Sequence, residues 1–349
     1  MNIEALLSHM RLKKPIEKVS LEADLSGLDL NGVIFSEVDF SHCIIGDAKF
    51  GGAVLSNCNL SGCGLRKASL ENAGFVECDL SAAYLDGKVL NNLSFMDCNL
   101  SGAVFSGSKI SQLMALNTNL SNTDWTGPSL LDSAFNQCDV SNAVFQDIRW
   151  NNFSLNEGHL SSATWLPSAV EKGLMIKCDF SGLVFDQAKY RNCSFNDSVF
   201  SGNRITDSFF LECLFVGCEF DQVSISKSNL SRSIFSTSSV AHSRVIGSVF
   251  EDSNFDRAKV RYSEFRQVSL DRSRWVEADL AETKMINCGL NFSDFSNAEI
   301  EECFFNDSSV SGSNWHNVDH DEFLTKSQGL GLVPIDKKRL EVDAILFER

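Results

Sequence analysis

The sequence lacks the features by which many membrane, metal-binding and nucleotide-binding proteins are recognised. No run of 18 apolar residues is present, which argues against a membrane-spanning helix. The first residues lack the charged and then apolar pattern of a secretion signal. The twelve cysteines never show the CxxC spacing of a zinc site, and no glycine-rich phosphate loop follows a strand pattern. Thirty basic residues stand against 46 acidic ones, and this net charge of −16 argues against generic nucleic-acid binding. We therefore expect no cofactor, no metal and no direct contact with nucleic acid.

What the sequence has instead is an apolar residue at every fifth position from Leu25 to Trp315, without a break. The 59 positions of this central grid include all five tryptophans and 21 of the 27 phenylalanines. A second grid, two residues earlier, starts at Ala23 and holds mostly small residues, among them all twelve cysteines. A period of five fits neither a helix nor a half-buried strand. It predicts a square coil of four pentapeptides per turn, with a large inward side chain at the centre of each side and a small one beside it.

Three pentapeptides show the pattern most clearly. Residues 23–27, 98–102 and 278–282 have the sequences Ala-Asp-Leu-Ser-Gly, Cys-Asn-Leu-Ser-Gly and Ala-Asp-Leu-Ala-Glu. They resemble the consensus of the pentapeptide-repeat family, roughly Ala-(Asp/Asn)-Leu-x-x, and the resemblance covers residues 23–322. It implies the family's all-β fold, a right-handed quadrilateral parallel β-helix, which sixty pentapeptides would wind into about 15 coils. We expect three segments: a cap or delivery segment at 1–22, the β-helix at 23–322, and a capping or dimerisation helix at 323–349.

The two terminal segments each have more than one interpretation. Residues 1–22 contain four apolar residues with helical spacing, Ile3, Leu6, Leu7 and Met10. This pattern suits a cap on the first coil, and the segment is also compatible with a signal for delivery into a host cell. In residues 323–349, Asp336 is a plausible helix N-cap, and three apolar residues follow on one face: Leu340, Ala344 and Phe347. That face would cap the last coil, form a homodimer contact or bind a partner.

The inward small positions predict the state of the cysteines and of several polar residues. Cysteine on this grid behaves as a small apolar residue, so we expect buried free thiols and a reducing compartment such as the cytoplasm. From Ser198 onward serine dominates the grid, and its buried hydroxyls should bond to the backbone of the wall. Two inward positions break the rule. We expect the ammonium of Lys88 to reach outward and the amide of Asn203 to form hydrogen bonds along the stack.

A basic stretch near the end of the repeat is the candidate partner site. It consists of nine residues: Lys227, Arg232, Arg244, Arg257, Lys259, Arg261, Arg266, Arg272 and Arg274. Five acids share the stretch, so its local charge is +4, whereas residues 23–222 hold 11 bases against 23 acids, a net −12. The register places Lys227, Arg244 and Arg266 on one side and spreads the others over the remaining three. The stretch suits either a solvated surface or a docking patch for an acidic partner.

These observations favour a non-enzymatic scaffold for protein–protein interactions over an enzyme. A filled solenoid offers no pocket in which a carboxylate would be desolvated for acid–base chemistry. Family members include scaffolds and bacterial effectors, so one form of the hypothesis is an effector secreted into a host cell. The alternative is a DNA mimic, because some members of the family resemble B-DNA in shape and charge and bind DNA gyrase. The chain departs from that group in its length, its uninterrupted coils and its basic end.

Overall fold

The structure is a computed structural model that describes residues 3–12, 14–166 and 169–318. The chain forms two compact units, Met1–Cys178 (unit 1) and Asp179–Arg349 (unit 2), and each unit is a stack of four-sided coils. The predicted tail contacts at Leu340, Ala344 and Phe347 lie outside the described residues.

Each pentapeptide forms one side of a coil because its five positions have different environments. In residues 53–57, Ala53 and Leu55 are buried, while Val54 and Ser56 face outward. Asn57 turns the corner with a φ of 53°, in the left-handed region that asparagine tolerates better than most residues. At the corner, the amide of Asn57 donates to the carbonyl of Val76 on the next coil at 2.9 Å. The corner hydrogen bond thus helps to offset the cost of the left-handed backbone.

Unit 1 begins with helix α1 (Ile3–Arg11), whose Leu6 is fully buried. Sixteen short strands follow: β1 (Ile16–Ser20), β2 (Ile34–Asp39), β3 (Val54–Ser56), β4 (Gly74–Val76), β5 (Val89–Asn91), β6 (Ser94–Met96), β7 (Lys109–Ser111), β8 (Met114–Leu116), β9 (Ser129–Leu131), β10 (Ala134–Asn136), β11 (Val144–Gln146), β12 (Arg149–Asn151), β13 (Ser154–Asn156), β14 (Thr164–Leu166), β15 (Ala169–Glu171) and β16 (Leu174–Ile176). They form a nine-stranded sheet, β1-β2-β3-β4-β6-β8-β10-β13-β16, a row β5-β7-β9-β12-β15, and the pair β11-β14.

Unit 2 repeats this construction with nine strands. They are β17 (Val184–Asp186), β18 (Lys189–Arg191), β19 (Arg204–Thr206), β20 (Phe209–Leu211), β21 (Ser224–Ser226), β22 (Arg244–Ile246), β23 (Glu264–Arg266), β24 (Lys284–Ile286) and β25 (Phe304–Asn306). Seven of them stack in the order β17-β19-β21-β22-β23-β24-β25, and β18 pairs with β20.

The strands within each unit pair in parallel, and from β2 onward the offset between partners is always four pentapeptides. Phe35 lies beside Leu55, and Leu55 lies beside Phe75; isolated bridges such as Asn59 with Asp79 continue the same offset where no strand is formed. Because four pentapeptides make one full turn, every residue lies next to its equivalent on the next coil. The predicted parallel β-helix is therefore confirmed, with about 14 turns.

The interior is filled by the central grid. Every central residue from Leu25 to Trp315 is buried. In unit 2 the rings of one column stack nearly parallel, with centroids 5.0 Å apart for Phe195 and Phe215, 4.9 Å for Phe215 and Phe235, and 4.8 Å for Phe235 and Phe255. In unit 1, Phe105 and Trp125 stack at 4.1 Å. These contacts repeat at the spacing of adjacent strands because the coils set the ring separation.

The small inward positions bond to the wall, as expected. The Ser243 hydroxyl donates to the carbonyl of Phe220 at 2.7 Å and accepts from the amide of Val223 at 3.1 Å. The cysteines are free thiols, and all except the partly buried Cys43 are buried. The Cys78 thiol, for example, donates to the carbonyl of Leu55 at 3.4 Å. Thiols and hydroxyls are thus interchangeable in the wall.

The expectations for the two exceptional inward residues are wrong. The amide of Asn203 is buried, and neither its oxygen nor its nitrogen has a hydrogen-bond partner among the described residues. The Lys88 ammonium does not reach outward, because it donates to the carbonyl of Leu65 at 2.7 Å and to that of Ala68. Burial lowers the pKa of Lys88 to about 8.

Replacement of a stacked ring should destabilise unit 2 strongly. Phe235→Ala removes a ring that is 2% exposed and lies between two others, so we expect a loss of about 3–5 kcal/mol in the free energy of unfolding. The control is Phe209→Ala, which removes an outward ring that is 46% exposed, and it should cost less than about 1 kcal/mol. Urea unfolding followed by circular dichroism measures both, and equal losses would contradict the stacked core.

Asn203→Val should stabilise the protein. The substitution removes two unpaired buried polar atoms, and Val223 already occupies the equivalent position on the next coil. We expect a gain of about 1–2 kcal/mol in the free energy of unfolding. The converse substitution, Val223→Asn, is the matched control and should destabilise. A loss of stability in Asn203→Val would show that the amide has a partner.

Stability should fall in alkaline solution. Burial raises the pKa of the Cys218 thiol from its ordinary value of 9.0 to about 12, so the folded state resists ionisation. The contribution of this thiol is fully present below about pH 9 and is lost as the pH rises toward 12. Cys218→Ser keeps a small hydroxyl, as at Ser198 and Ser238 in the same column, but removes the ionisation. Thermal melts between about pH 8 and 11 should show a flatter decline for this variant, and identical slopes would contradict the assignment.

Candidate interaction surfaces

The four sides of the coil provide a reference for the surface residues. Side 1 has its central residues at Leu25, Ile45 and every twentieth residue after them; sides 2, 3 and 4 start at Leu30, Phe35 and Phe40. On each side the residues before and after the centre face outward, and the next residue forms the corner. Outward residues with the same position therefore form columns along the coils of a unit.

The nine basic residues of the candidate patch lie on all four sides of unit 2. Lys227, Arg244 and Arg266 lie on side 1, on or directly after the adjacent strands β21, β22 and β23. Arg232 and Arg272 are corner residues of side 2. The remaining four are divided equally: Arg257 and Arg274 belong to side 3, and Lys259 and Arg261 to side 4. The geometry thus brings three of the nine together on one side.

All seven arginines of this set have carboxylate partners. The closest nitrogen–oxygen distances are 3.4 Å for Arg232 with Glu212, 3.7 Å for Arg244 with Glu264, 2.7 Å for Arg257 with Glu277, 2.5 Å for Arg266 with Glu264, 2.7 Å for Arg272 with Asp252 and 3.1 Å for Arg274 with Asp256, and Arg261 pairs with Asp279. Among the described residues, only Lys227 and Lys259 of the nine have no ion pair. The local positive charge is therefore largely compensated by carboxylates, most of them on neighbouring coils.

The densest of these networks surrounds a surface groove of about 330 Å³ on unit 2. The corner residues of side 2 that line the groove form one column, because they occupy the same position on successive coils. Their charges alternate in sign along this column, in the order Glu212, Arg232, Asp252 and Arg272. Arg272 also contacts Glu251 at 3.1 Å, and Arg191 contacts Glu212 at 3.6 Å. The hydrogen bond from the Arg272 guanidinium lowers the pKa of Asp252. Exposed pairs of this kind contribute little stability each, so the network mainly cancels charge.

A different surface, on side 3 of unit 1, has no charged residue in its two outward columns. Eight strands of the nine-stranded sheet, β2, β3, β4, β6, β8, β10, β13 and β16, present two outward columns there. The first column is Ile34, Val54, Gly74, Ser94, Met114, Ala134, Ser154 and Leu174, and the second is Ser36, Ser56, Val76, Met96, Leu116, Asn136, Asn156 and Ile176. We call these sixteen positions the apolar face.

Large aliphatic side chains of the apolar face are open to solvent. Met114 is 63% exposed, Ile34 50% and Leu174 48%. The other three sides of unit 1 carry carboxylates in their outward columns, for example Asp124 on side 1, Glu71 on side 2 and Asp79 on side 4. A cluster of exposed aliphatic side chains in uncharged columns of an acidic protein is a candidate binding site.

The apolar face could not be predicted from the inward positions and the charged residues alone. The signal was nevertheless present. Once the register of four pentapeptides per turn is known, the outward positions of side 3 can be listed from the sequence, and none of them is charged between Ile34 and Ile176. Only their exposure required the structure.

The described residues contain no group of three or more His, Cys, Asp or Glu residues placed to hold a metal ion. Burial raises the pKa of the Cys63, Cys138 and Cys288 thiols to about 11, which makes them poor nucleophiles at neutral pH. Within the same residues, no helix has the length and hydropathy needed to cross a membrane.

Comparison with known proteins identifies the repeat. The family model for pentapeptide repeats (8 copies) matches residues 22–57 and 43–81, and the model for the pentapeptide repeat region matches residues 68–143. No curated protein matches the chain at a significant level.

Several solved structures resemble the chain at low identity. HetL, a pentapeptide repeat protein involved in heterocyst differentiation regulation from the cyanobacterium Nostoc, is 17% identical, with coverage of 90% of this chain and 96% of HetL and a TM-score of 0.21. QnrB1, a plasmid-mediated fluoroquinolone resistance protein, is 11% identical, with coverage of 69% and 96% and a TM-score of 0.25. The A-module of a mannuronan C-5 epimerase from Azotobacter vinelandii is 9% identical, with coverage of 94% of both chains and a TM-score of 0.37.

These TM-scores are too low to support an argument about function or shape. The assignment rests instead on the family models and on the period of five that continues through the described coils. Residues 22–143 are thus pentapeptide repeats by the family models, and the same period of five continues to Trp315.

Proposed function

We propose that this protein is a non-enzymatic scaffold for protein–protein interactions and that its apolar face is the binding surface. The observation that carries the proposal is the set of exposed aliphatic side chains, such as Ile34, Met114 and Leu174, in two outward columns that hold no charged residue. Removal of such a surface from water is the main favourable term in most protein associations. The filled interior supports a binding role over catalysis, because the central residues from Leu25 to Trp315 are all buried.

The thiols and the N-terminal segment bear on where the scaffold acts. Twelve free cysteines favour a reducing compartment, and we propose the bacterial cytoplasm. Secretion into a host cell is the competing interpretation, with residues 1–22 as its signal. Leu6 of α1 and Ile16 of β1 are fully buried, and β1 pairs with β2. These contacts support the interpretation of residues 1–22 as a cap on the first coil.

The nine basic residues remain a second candidate surface for an acidic partner. Ion pairs with seven of them reduce the charge available for docking, so Lys227 and Lys259 are the residues to test first. Binding of DNA gyrase, the alternative function, would depend on charge and would therefore weaken with added salt, whereas binding to the apolar face would not.

The apolar face can be tested with one substitution and a matched control. Met114→Lys introduces a charge at the centre of the face, and Val89→Lys introduces the same charge on side 2 of unit 1, where Val89 is 62% exposed. Because a buried unpaired ammonium is costly, partner capture should fall about tenfold or more for Met114→Lys and should be unchanged for Val89→Lys. Immobilised proteins exposed to bacterial and eukaryotic lysates at two salt concentrations, with quantitative mass spectrometry, provide the measurement.

Two results would argue against the proposal. If Met114→Lys retains the same proteins as the unsubstituted chain, the apolar face is not the binding surface. If Lys227→Glu with Lys259→Glu abolishes capture instead, the basic residues are the site. The DNA-mimic alternative would be favoured if the protein captured gyrase subunits in a salt-sensitive manner and if Met114→Lys did not reduce this capture.

A further inference from the structure

We infer that the apolar face binds the same face of a second copy of this chain, with the two stacks of strands in opposite order. The inference rests on the proposed function, since it names the occupant of the surface proposed there. The two-fold axis would run parallel to the strands and lie between β6 and β8, at the middle of the face.

Charge favours a second copy as the occupant. Two copies with a net charge of −16 each repel one another over most of their surface. The other three sides of unit 1 would bring carboxylates together, at Asp124, Glu71 or Asp79 for example. On the apolar face, the sixteen outward positions contribute no charge to either copy. It is the side of unit 1 on which two such chains can meet without like charges at the centre.

The edges of the apolar face then decide the orientation. One edge is the corner that follows each strand: Glu37, Asn57, Glu77, Asp97, Asn117, Gln137, Glu157 and Lys177. The other edge is the corner that precedes each strand: Gly32, Gly52, Asn72, Asn92, Gln112, Asp132, Asn152 and Lys172. We call them the following edge and the preceding edge. All residues of the following edge are exposed, so they would meet the second copy.

Two flat identical faces can pack around one of two in-plane two-fold axes. If the two-fold axis runs along the stack of coils, the strands of the two copies follow one another in the same order. The following edge of one copy then lies against the preceding edge of the other. Lys177 would then lie opposite Lys172, and symmetry would repeat this repulsion on the other side. An axis along the strands reverses the strand order and sets each edge against itself.

The reversed order produces complementary pairs along the whole following edge. With the axis between β6 and β8, the pairs are Glu37 with Lys177, Asn57 with Glu157, Glu77 with Gln137, and Asp97 with Asn117. Each pair joins a carboxylate to an ammonium or to an amide, and none joins two like charges. Within one copy Asn117 already donates to Asp97 at 2.6 Å, but a carboxylate accepts several hydrogen bonds, so a second donor can be added.

The preceding edge is compatible with the same arrangement. Its pairs are Gly32 with Lys172, Gly52 with Asn152, Asn72 with Asp132, and Asn92 with Gln112. Asn72 would donate to Asp132 of the second copy, and no like charges meet. A single register thus suits both edges.

The centre of the face also fits this register. In the first column Met114 would lie opposite Ser94 and Val54 opposite Ser154, so large side chains meet small ones there, while Ile34 would meet Leu174 at the two ends of the face. In the second column Met96 and Leu116 would pack together beside the axis. Packing of large against small side chains is how facing sheets fill the space between them.

The size of the face predicts weak association. Eight strands about 4.8 Å apart and three residues wide give a strip of roughly 35 by 10 Å per copy. This is smaller than the roughly 800 Å² per partner of a standard stable interface, and small interfaces are typical of reversible, concentration-dependent complexes. We therefore expect a dimer that forms in the micromolar range or above.

Crosslinking can test the orientation directly. In a Cys43→Ala background the other native thiols are buried, so an added surface cysteine is the reactive one. A mixture of Ile34→Cys and Leu174→Cys chains should form a covalent dimer with a short bismaleimide, because these positions face each other in the reversed order. Either chain alone should form none. A product from Ile34→Cys mixed with Ser36→Cys would show that the strand order is kept, and it would overturn the proposed geometry.

A charge exchange provides a second test, by sedimentation equilibrium at several concentrations. Lys177→Glu should raise the dimer Kd about three- to tenfold at low salt by placing two carboxylates opposite each other, and the addition of Glu37→Lys should restore it. Met114→Lys should raise the Kd tenfold or more, while Val89→Lys should leave it unchanged. The tail variant Leu340→Ser with Phe347→Ser should still dimerise. If this variant is monomeric instead, while Met114→Lys remains a dimer, the chain dimerises through its tail.

The outcomes separate this inference from the proposed function. The unsubstituted chain could stay monomeric at every concentration while Met114→Lys loses a different protein that the unsubstituted chain captures. That result would refute self-association through the apolar face but would support the scaffold function. If Met114→Lys changes neither self-association nor capture, both fail.

Discussion

The parallel register of four pentapeptides between successive coils is the constraint on which the rest of the structure depends. Because every residue lies beside its equivalent on the next coil, the chain forms columns of side chains rather than a mixed core. Stacked rings follow from this register, as for Phe235 between Phe215 and Phe255. So do the wall bonds, in which a hydroxyl or thiol reaches a carbonyl of the previous coil, as Ser243 reaches Phe220. A change at one position therefore acts mainly on two neighbours in the same column, as in other solenoids.

The period in the sequence was sufficient to predict the fold and the direction of nearly every side chain in the described coils. Central residues such as Trp125 and Trp275 are buried as expected, and serines of the wall such as Ser243 bond to the backbone. The misjudged residues are those whose long or branched polar side chains can choose among several partners. Lys88 turns to two carbonyls of the wall instead of to water, and Asn203 finds no partner for its amide among the described residues. Such choices depend on rotamers and on local space, which a period does not encode.

The candidate site could be predicted less well than the fold, for a related reason. A count of charges by residue number assigns a positive balance to the stretch from Lys227 to Arg274, but such a count does not consider the neighbours on adjacent coils. Glu212 lies before that stretch and still pairs with Arg232, and Glu277 lies after it and pairs with Arg257. The relevant unit of charge in this fold is the column. When charge is counted by column, the positive charge of the basic stretch is mostly compensated. The surface that then differs from the others is side 3 of unit 1, whose two outward columns are uncharged.

Columns also explain how an acidic chain tolerates its charge. Carboxylates in one column would lie about 4.8 Å apart on adjacent coils, where like charges repel strongly. On side 4 of unit 1 this is avoided by alternation, since Asn59 separates Asp39 from Asp79 and donates to Asp39 at 3.1 Å. Where two carboxylates do follow each other, at Asp279 and Glu299 of unit 2, Arg261 contacts both. In these columns an amide separates the acids or an arginine bridges them, so the outward positions are polar. The two outward columns of side 3 in unit 1 hold no acid, which leaves them open to aliphatic residues and hence to association.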